Sequence, residues 1–180
     1  MSDAWRRFVA TGDSVAPLVL RLALGVVMFA HGAQKVLGWW GGAGVAGTFE
    51  AFQQAWGIPP FLTVLTMAAE FGGGLLLIVG AFTRLAALAI GINMVVAVLV
   101  NHVQHGFFMD WYGVAGGHGF EYHLLAVGMA LALLIQGGGR ASVDRALEER
   151  EATRARPRVV AAAPPREPVG TAPGGYQAPR

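Results

Sequence analysis

The sequence predicts an all-α fold: a polytopic membrane four-helix bundle, with an interfacial amphipathic helix between spans 1 and 2 and a disordered C-terminal tail. Three observations predict it. Apolar residues make up 54% of the 180 and charged residues only 13%, and the apolar ones fall in runs close to membrane length rather than in alternation. The basic residues are segregated. Between Phe8 and Gly139 only Arg21, Lys35 and Arg84 are Lys or Arg, so the net charge of +2 reads as membrane topology rather than nucleic-acid binding. The sequence also has no cysteine, which removes disulfide exchange, thiolate nucleophiles, iron–sulfur ligation and Cys-type zinc sites from its own repertoire.

Residues 1–16 read as a polar cytoplasmic leader with Arg6 and Arg7. The apolar run behind it is too long for a signal-peptide core and contains Arg21, so it reads as a retained signal anchor. That run is the first of four spans, residues 17–38 in a membrane domain over 17–140. A bilayer core takes roughly 20 residues at ~1.5 Å rise each, and the run supplies them. Arg21, Gly25, Met28, Gly32 and Lys35, the only lysine, fall on one face with His31 at its edge. Ionisable groups inside a span cost about 2.5–3.5 kcal/mol each on insertion scales, so this stripe needs partners from other helices. Between spans, Val45, Phe49, Phe52 and Trp56 recur opposite Glu50, Gln53 and Gln54, the pattern of an amphipathic helix at the interface. Trp39, Trp40 and Trp56 suit that level; a loop packed on the protein is the alternative.

The second span, 61–82, puts Thr63, Thr66, Glu70, Gly74 and Leu77 on one face, and its Gly72–Gly74 run lets a neighbouring backbone approach. Thr83-Arg84 makes a short connection to the third span, 85–105, which ends in Asn101, His102 and His105; Asn93 lies deeper. A glycine-aromatic loop holding Asp110 and His118 leads to the fourth span, 121–136, opened by Glu121 and His123. Glu121, Leu125, Gly128 and Ala132 offer it a small-residue packing face. After Gly137–Gly139, Ser142 suits an N-cap for a short cytoplasmic helix over 141–151. Residues 152–180, rich in Ala, Pro, Gly and Arg, have no pattern that buries a core and read as disordered.

The positive-inside rule puts both termini and the Arg84 loop in the cytoplasm. His31, Lys35, Asn101, His102 and Glu121 then collect toward the outer leaflet with Glu70 below them, a candidate polar binding pocket in the outer half. Arg21 and Arg84 lie near the inner interface, where snorkelling explains them. His118 and His123 read as solvated or hydrogen-bonded histidines.

The runs LRLALGVVMFAHGAQKVLGWWGG, AAEFGGGLLLIVGAFTR, NHVQHGFF, GFEYHLL and GGGRASVD, taken in order over about residues 17–147, resemble the DoxX family. The resemblance implies a small four-helix protein of the bacterial or archaeal membrane, here the bacterial plasma membrane. It also implies a subunit of a quinone-linked oxidoreductase system, with quinone or quinol as ligand and redox proteins as partners. A histidine and a carboxylate near headgroup level suit proton exchange at quinone oxygens. The sequence carries no flavin or dinucleotide fingerprint, so electrons must pass through a partner or a bound cofactor. A non-catalytic anchor or scaffold for redox partners is the competing reading, its arginine-rich tail contacting a partner or anionic lipid. Axial haem ligation by His31 and His102, or a divalent metal at His102, His105 and Glu121, lacks further ligand spacing. The small-residue faces leave room for a homo-oligomer. Transport of a small solute is also open, without an inverted repeat to support it.

Overall fold

The computed structural model describes residues 11–114 and 116–155, and all regular structure among them is helical. Helix α1 runs Ala16–Leu37, with Pro17 in its first turn and Gly38 (φ 70°) ending it in the left-handed region. Proline costs nothing where no N–H is needed, and glycine alone takes that stop without a Cβ clash. A tight turn at Trp39–Gly41 leads to α2, Gly44–Trp56. Helix α3, Pro60–Val79, contains a π turn at Ala68–Gly72. Helix α4, Thr83–His105, contains a second at Val98–His102. Helix α5 spans Glu121–Gln136 and α6 Val143–Ala155.

Helices α1, α3 and α4 are each long and apolar enough to cross a membrane. Helix α5 has 16 residues, about 24 Å at the α-helical rise, and packs beside them. Contacts run α1 to α3, α3 to α4, α4 to α5 and α5 to α1, closing a four-helix bundle. Its core holds Leu24 and Met28 of α1, Leu77 of α3, Ala86, Ala87, Ile90 and Met94 of α4, and Ala126, Ala130 and Leu133 of α5. Around the outside Val19, Val26, Leu65, Leu75, Ile92 and Leu131 are exposed. In water such a girdle would drive aggregation; on helices of this length it is the face turned to lipid.

The α1–α3 seam is set by missing side chains. A Cβ on Gly32 would lie 2.3 Å from the Phe71 nitrogen, and one on Gly74 would lie 2.5 Å from that of Phe29. Backbones this close align the two helices over several turns. On α5 the packing face differs from the sequence reading. Leu125 is 68% exposed, and Gly128 has no neighbour within 4 Å of an added Cβ. The buried stripe is His123, Ala126, Ala130 and Leu133. Both stripes carry small residues, and the contact of Ala130 with Gly91 belongs to the one that turns inward.

At the end of the bundle where α3 and α5 finish, charged side chains close the helix termini. Arg21 does not snorkel. It is 2% exposed, and its guanidinium donates to the carbonyls of Leu77, Ile78, Gly138, Arg140 and Ala141 at 2.5–3.3 Å. Arg84 likewise donates to the Leu134 and Ile135 carbonyls in the last turn of α5. Asp144, from α6, accepts from the Phe82 and Thr83 N–H groups at 2.8 and 2.9 Å and so caps α4 from a distant segment. Cations at helix C-termini and an anion at an N-terminus match the dipoles and satisfy groups the helices leave unpaired. Arg145 donates to the Thr11 carbonyl, and Arg140 pairs with Asp13, which ties the leader to this end. The segment read as disordered from Ala152 starts in helix, because α6 runs on to Ala155 with Thr153 bonded to the Glu149 carbonyl. Residues 1–10 of the leader and 156–180 of the tail lie outside the described residues.

Candidate functional site

The opposite end of the bundle holds a cavity of about 390 Å³. Helix α2 covers it: Thr48 is buried and donates to the Lys35 carbonyl at 3.2 Å, which fixes α2 across the end of α1. Phe52 and Trp56 then face the cavity. The Trp56 indole N–H donates to Asn101 Oδ1 at 3.2 Å, joining α2 to α4.

Five of the six residues singled out in the sequence line this cavity: His31, Lys35, Glu70, Asn101 and His102. Glu121 does not. Its carboxylate turns to the preceding loop and accepts from the Met109 N–H at 2.9 Å. Lys35 and Glu70 form an ion pair, Nζ to Oε2 at 2.6 Å, with the Glu70 side chain 7% exposed. The second carboxylate oxygen accepts from Asn93 Nδ2 at 3.2 Å. Glu70 thus bridges α1, α3 and α4, and both charges have partners, as burial requires. Both π turns lie at the cavity. One carries Glu70 and the other Asn101 and His102; an inserted residue re-aims side chains that a regular helix would spread round its axis.

The far wall comes from the first turn of α5. His123 is buried, 6% exposed, and its ring lies 4.0 Å from that of His102, centroid to centroid. His31, exposed on α1, faces Tyr122 at 6.3 Å. His102 Nδ1 is 2.8 Å from the His118 carbonyl; a carbonyl only accepts, so that nitrogen carries the proton and Nε2 does not in the neutral ring. His118 Nδ1 in turn accepts from the Asp110 N–H. Among the described residues, four buried side-chain atoms have no hydrogen-bond partner, Thr63 Oγ1, Thr83 Oγ1, Tyr122 Oη and His123 Nδ1, and the last two belong to residues that line the cavity. A buried polar atom without a partner costs about 1–3 kcal/mol, and Tyr122 and His123 are consecutive cavity-lining residues that each carry one. Among the described residues no three His, Asp or Glu side chains are grouped to hold a metal ion.

The DoxX family model matches residues 16–103. Inner membrane protein YqjF of Escherichia coli is 32% identical over 144 residues, covering 77% of this chain and 96% of that protein. The chain belongs to the DoxX family. Another relative, named "Putative oxidoreductase CatD", from Bacillus subtilis, is 28% identical over 66% of this chain and 78% of its own. The uncharacterized membrane protein Rv3486 of Mycobacterium tuberculosis is 30% identical over 83% of this chain and 91% of its own. No solved structure matches at a significant level. In this DoxX protein the family-model match ends at Val103, so the α5 wall of the cavity lies beyond it.

The sequence does not single out Tyr122, and His118 and His123, which also line the cavity, read from it only as solvated or hydrogen-bonded histidines. Three consecutive residues at a helix start point about 100° apart, and only packing decides which enters the interior. Asn93 carried a usable signal, a lone amide deep in an apolar span, where such groups find a partner on another helix.

Proposed function

We propose that this DoxX protein binds a quinone or quinol headgroup in the cavity and serves as a subunit of a quinone-linked oxidoreductase system. Its cavity end would face outward and both termini the cytoplasm of a bacterial plasma membrane. The observation that carries this reading is the pair of unpartnered buried atoms, Tyr122 Oη and His123 Nδ1, on the wall of a largely apolar cavity. A flat ring with two oxygen atoms would suit that pattern, its apolar faces against Met28, Met94 and Val100 and its oxygens toward the wall that carries Tyr122 and His123. The His102–His123 pair, two imidazoles with ring centroids 4.0 Å apart on the cavity wall, is suited to taking and returning the protons that quinol oxidation releases. The Lys35–Glu70–Asn93 network holds α1, α3 and α4 in register around the ring. Electrons would pass to or from a redox partner protein, since the sequence has no thiol and no dinucleotide fingerprint. Four spans with Arg6, Arg7, Arg84 and the arginine-rich C-terminus inside fit the positive-inside rule.

The test is equilibrium binding of 2,3-dimethoxy-5-methyl-benzoquinone to the purified full chain, read by quenching of tryptophan fluorescence. Wild type binds. Tyr122→Phe loses about five- to tenfold in affinity, one hydrogen bond's worth, while melting no lower than wild type, because the hydroxyl has no partner to lose and its burial cost is removed with it. Failure of wild type to bind, or equal binding by Tyr122→Phe, refutes the reading.

A further inference from the structure

A second void lies on the lipid-facing side of the bundle, in the seam between α4 and α5. Leu88, Gly91 and Val96 of α4 and Ala130, Leu131 and Leu134 of α5 are among its lining residues, and its volume is about 280 Å³. Every lining side chain is apolar. From Leu88 to Val96 the seam extends about 12 Å at the helical rise, toward the end where Arg84 closes α5.

Two features say what fills it. Val96 lines both the seam and the headgroup cavity, so the two voids border the same residue. The polar atoms are also segregated. The cavity has the ion pair, the histidines and the unpartnered hydroxyl; the seam has none, and it continues along a helix built to cross hydrocarbon. Gly91 contributes no side chain, and a Cβ there would meet only Ala130 Cβ at 3.4 Å; this keeps the seam open at its middle. A molecule with a polar ring and a long hydrocarbon chain matches that sequence of surfaces, ring in the cavity and chain along the seam.

We propose that the α4–α5 seam is the tail site of the cavity's ligand, so that the ligand is a long-chain, lipid-soluble quinone rather than a small water-borne one. This rests on the quinone reading and adds the tail's position and the ligand's class.

The experiment uses the full chain in mild detergent and two probes: 2,3-dimethoxy-5-methyl-benzoquinone, and the same head bearing a decyl chain. Two variants fill the seam. Gly91→Phe places a ring at its middle, and Leu131→Trp, at a 54% exposed position, does so without touching the core. Comparing each variant with wild type on the same probe cancels partition of the tail into detergent. The expected result is a loss of about tenfold or more for the decyl probe, with affinity for the tailless probe unchanged, in both variants. Unchanged decyl binding overturns the tail site while the headgroup reading stands. Loss of both probes alike also overturns it, since the effect then lies in the cavity or the fold. A shift in oligomeric state caused by the variants, measured by light scattering, assigns the seam to a second copy of the chain and overturns it as well. If wild type binds neither probe, the quinone reading fails and the tail site with it.

Discussion

Replacing Arg21 by methionine tests the claim that this buried cation closes the helix ends rather than reaching for headgroups. Methionine keeps most of the apolar stem and removes the guanidinium that donates to five carbonyls. Leu77 keeps a second donor, the Gly80 N–H, so four carbonyls bear the loss: Ile78, Gly138, Arg140 and Ala141. An unsatisfied buried acceptor costs about 1–3 kcal/mol, and water reaching the more exposed of the four keeps the cost near the lower figure. The sum is about 4 kcal/mol, in the range measured when one partner of a buried charged network is deleted. At about 2–4 °C per kcal/mol for a chain of this size, the variant should melt about 8–16 °C below wild type. Thermal unfolding in detergent, followed by helical circular dichroism, measures this. Arg21→Lys should fall in between, because an ammonium has three donors at one point and cannot span the end of α3 and the α5–α6 loop together. A methionine variant melting within about 2 °C of wild type would refute the reasoning and return Arg21 to a snorkelling role.

Four further variants test the same structure. Gly32→Ala drives a Cβ into Phe71 backbone, which cannot rotate away, so α1 and α3 must part and stability should drop by about 3 kcal/mol. Gly128→Ala, with open space around it, should instead gain about 0.5–1 kcal/mol; the two melting curves shifting the same way would contradict this. Asp144→Ala leaves the Phe82 and Thr83 N–H groups without their cap and should cost about 2–4 kcal/mol, visible as faster hydrogen exchange in the first turn of α4. The Arg140 side chain, by hydrogen bond and charge, holds the Asp13 carboxyl below its ordinary range. A lowered folded-state value means this contribution is present above the free aspartate's value of about 4 and fades as pH falls through the lowered value. The pair is exposed, so the effect is small; the difference in melting temperature between wild type and Asp13→Asn should close on acidification, and a difference that widens would reverse the assignment.

The helices themselves were readable because their cause is local. A run such as Pro17–Leu37 is apolar over membrane length whatever surrounds it, and the lone lysine, the mid-span glutamate and the Asn101-His102 pair declare that something must receive them. The receivers are another matter. Nothing in the sequence ties Arg21 to carbonyls of residues 138, 140 and 141, or Asp144 to the start of α4, because backbone carbonyls and N–H groups carry no residue signature. Two arginines near one interface look alike on a wheel whether they reach water or bury.

The site divides in the same way. Lys35, Glu70 and Asn93 could be named as polar residues in apolar spans, but their joining into one network depends on how far α1, α3 and α4 are rotated, which the close approach at Gly32 and Gly74 fixes. At the start of α5 a rotation of about 100° separates Glu121 from Tyr122 and Tyr122 from His123. Sequence offered the carboxylate, and packing turned it to the Met109 N–H and sent the phenol and the second imidazole inward. Hydrophobicity is a property of a segment and is legible along the chain. The direction a side chain faces is a property of the packed bundle, and tertiary contact alone decided it.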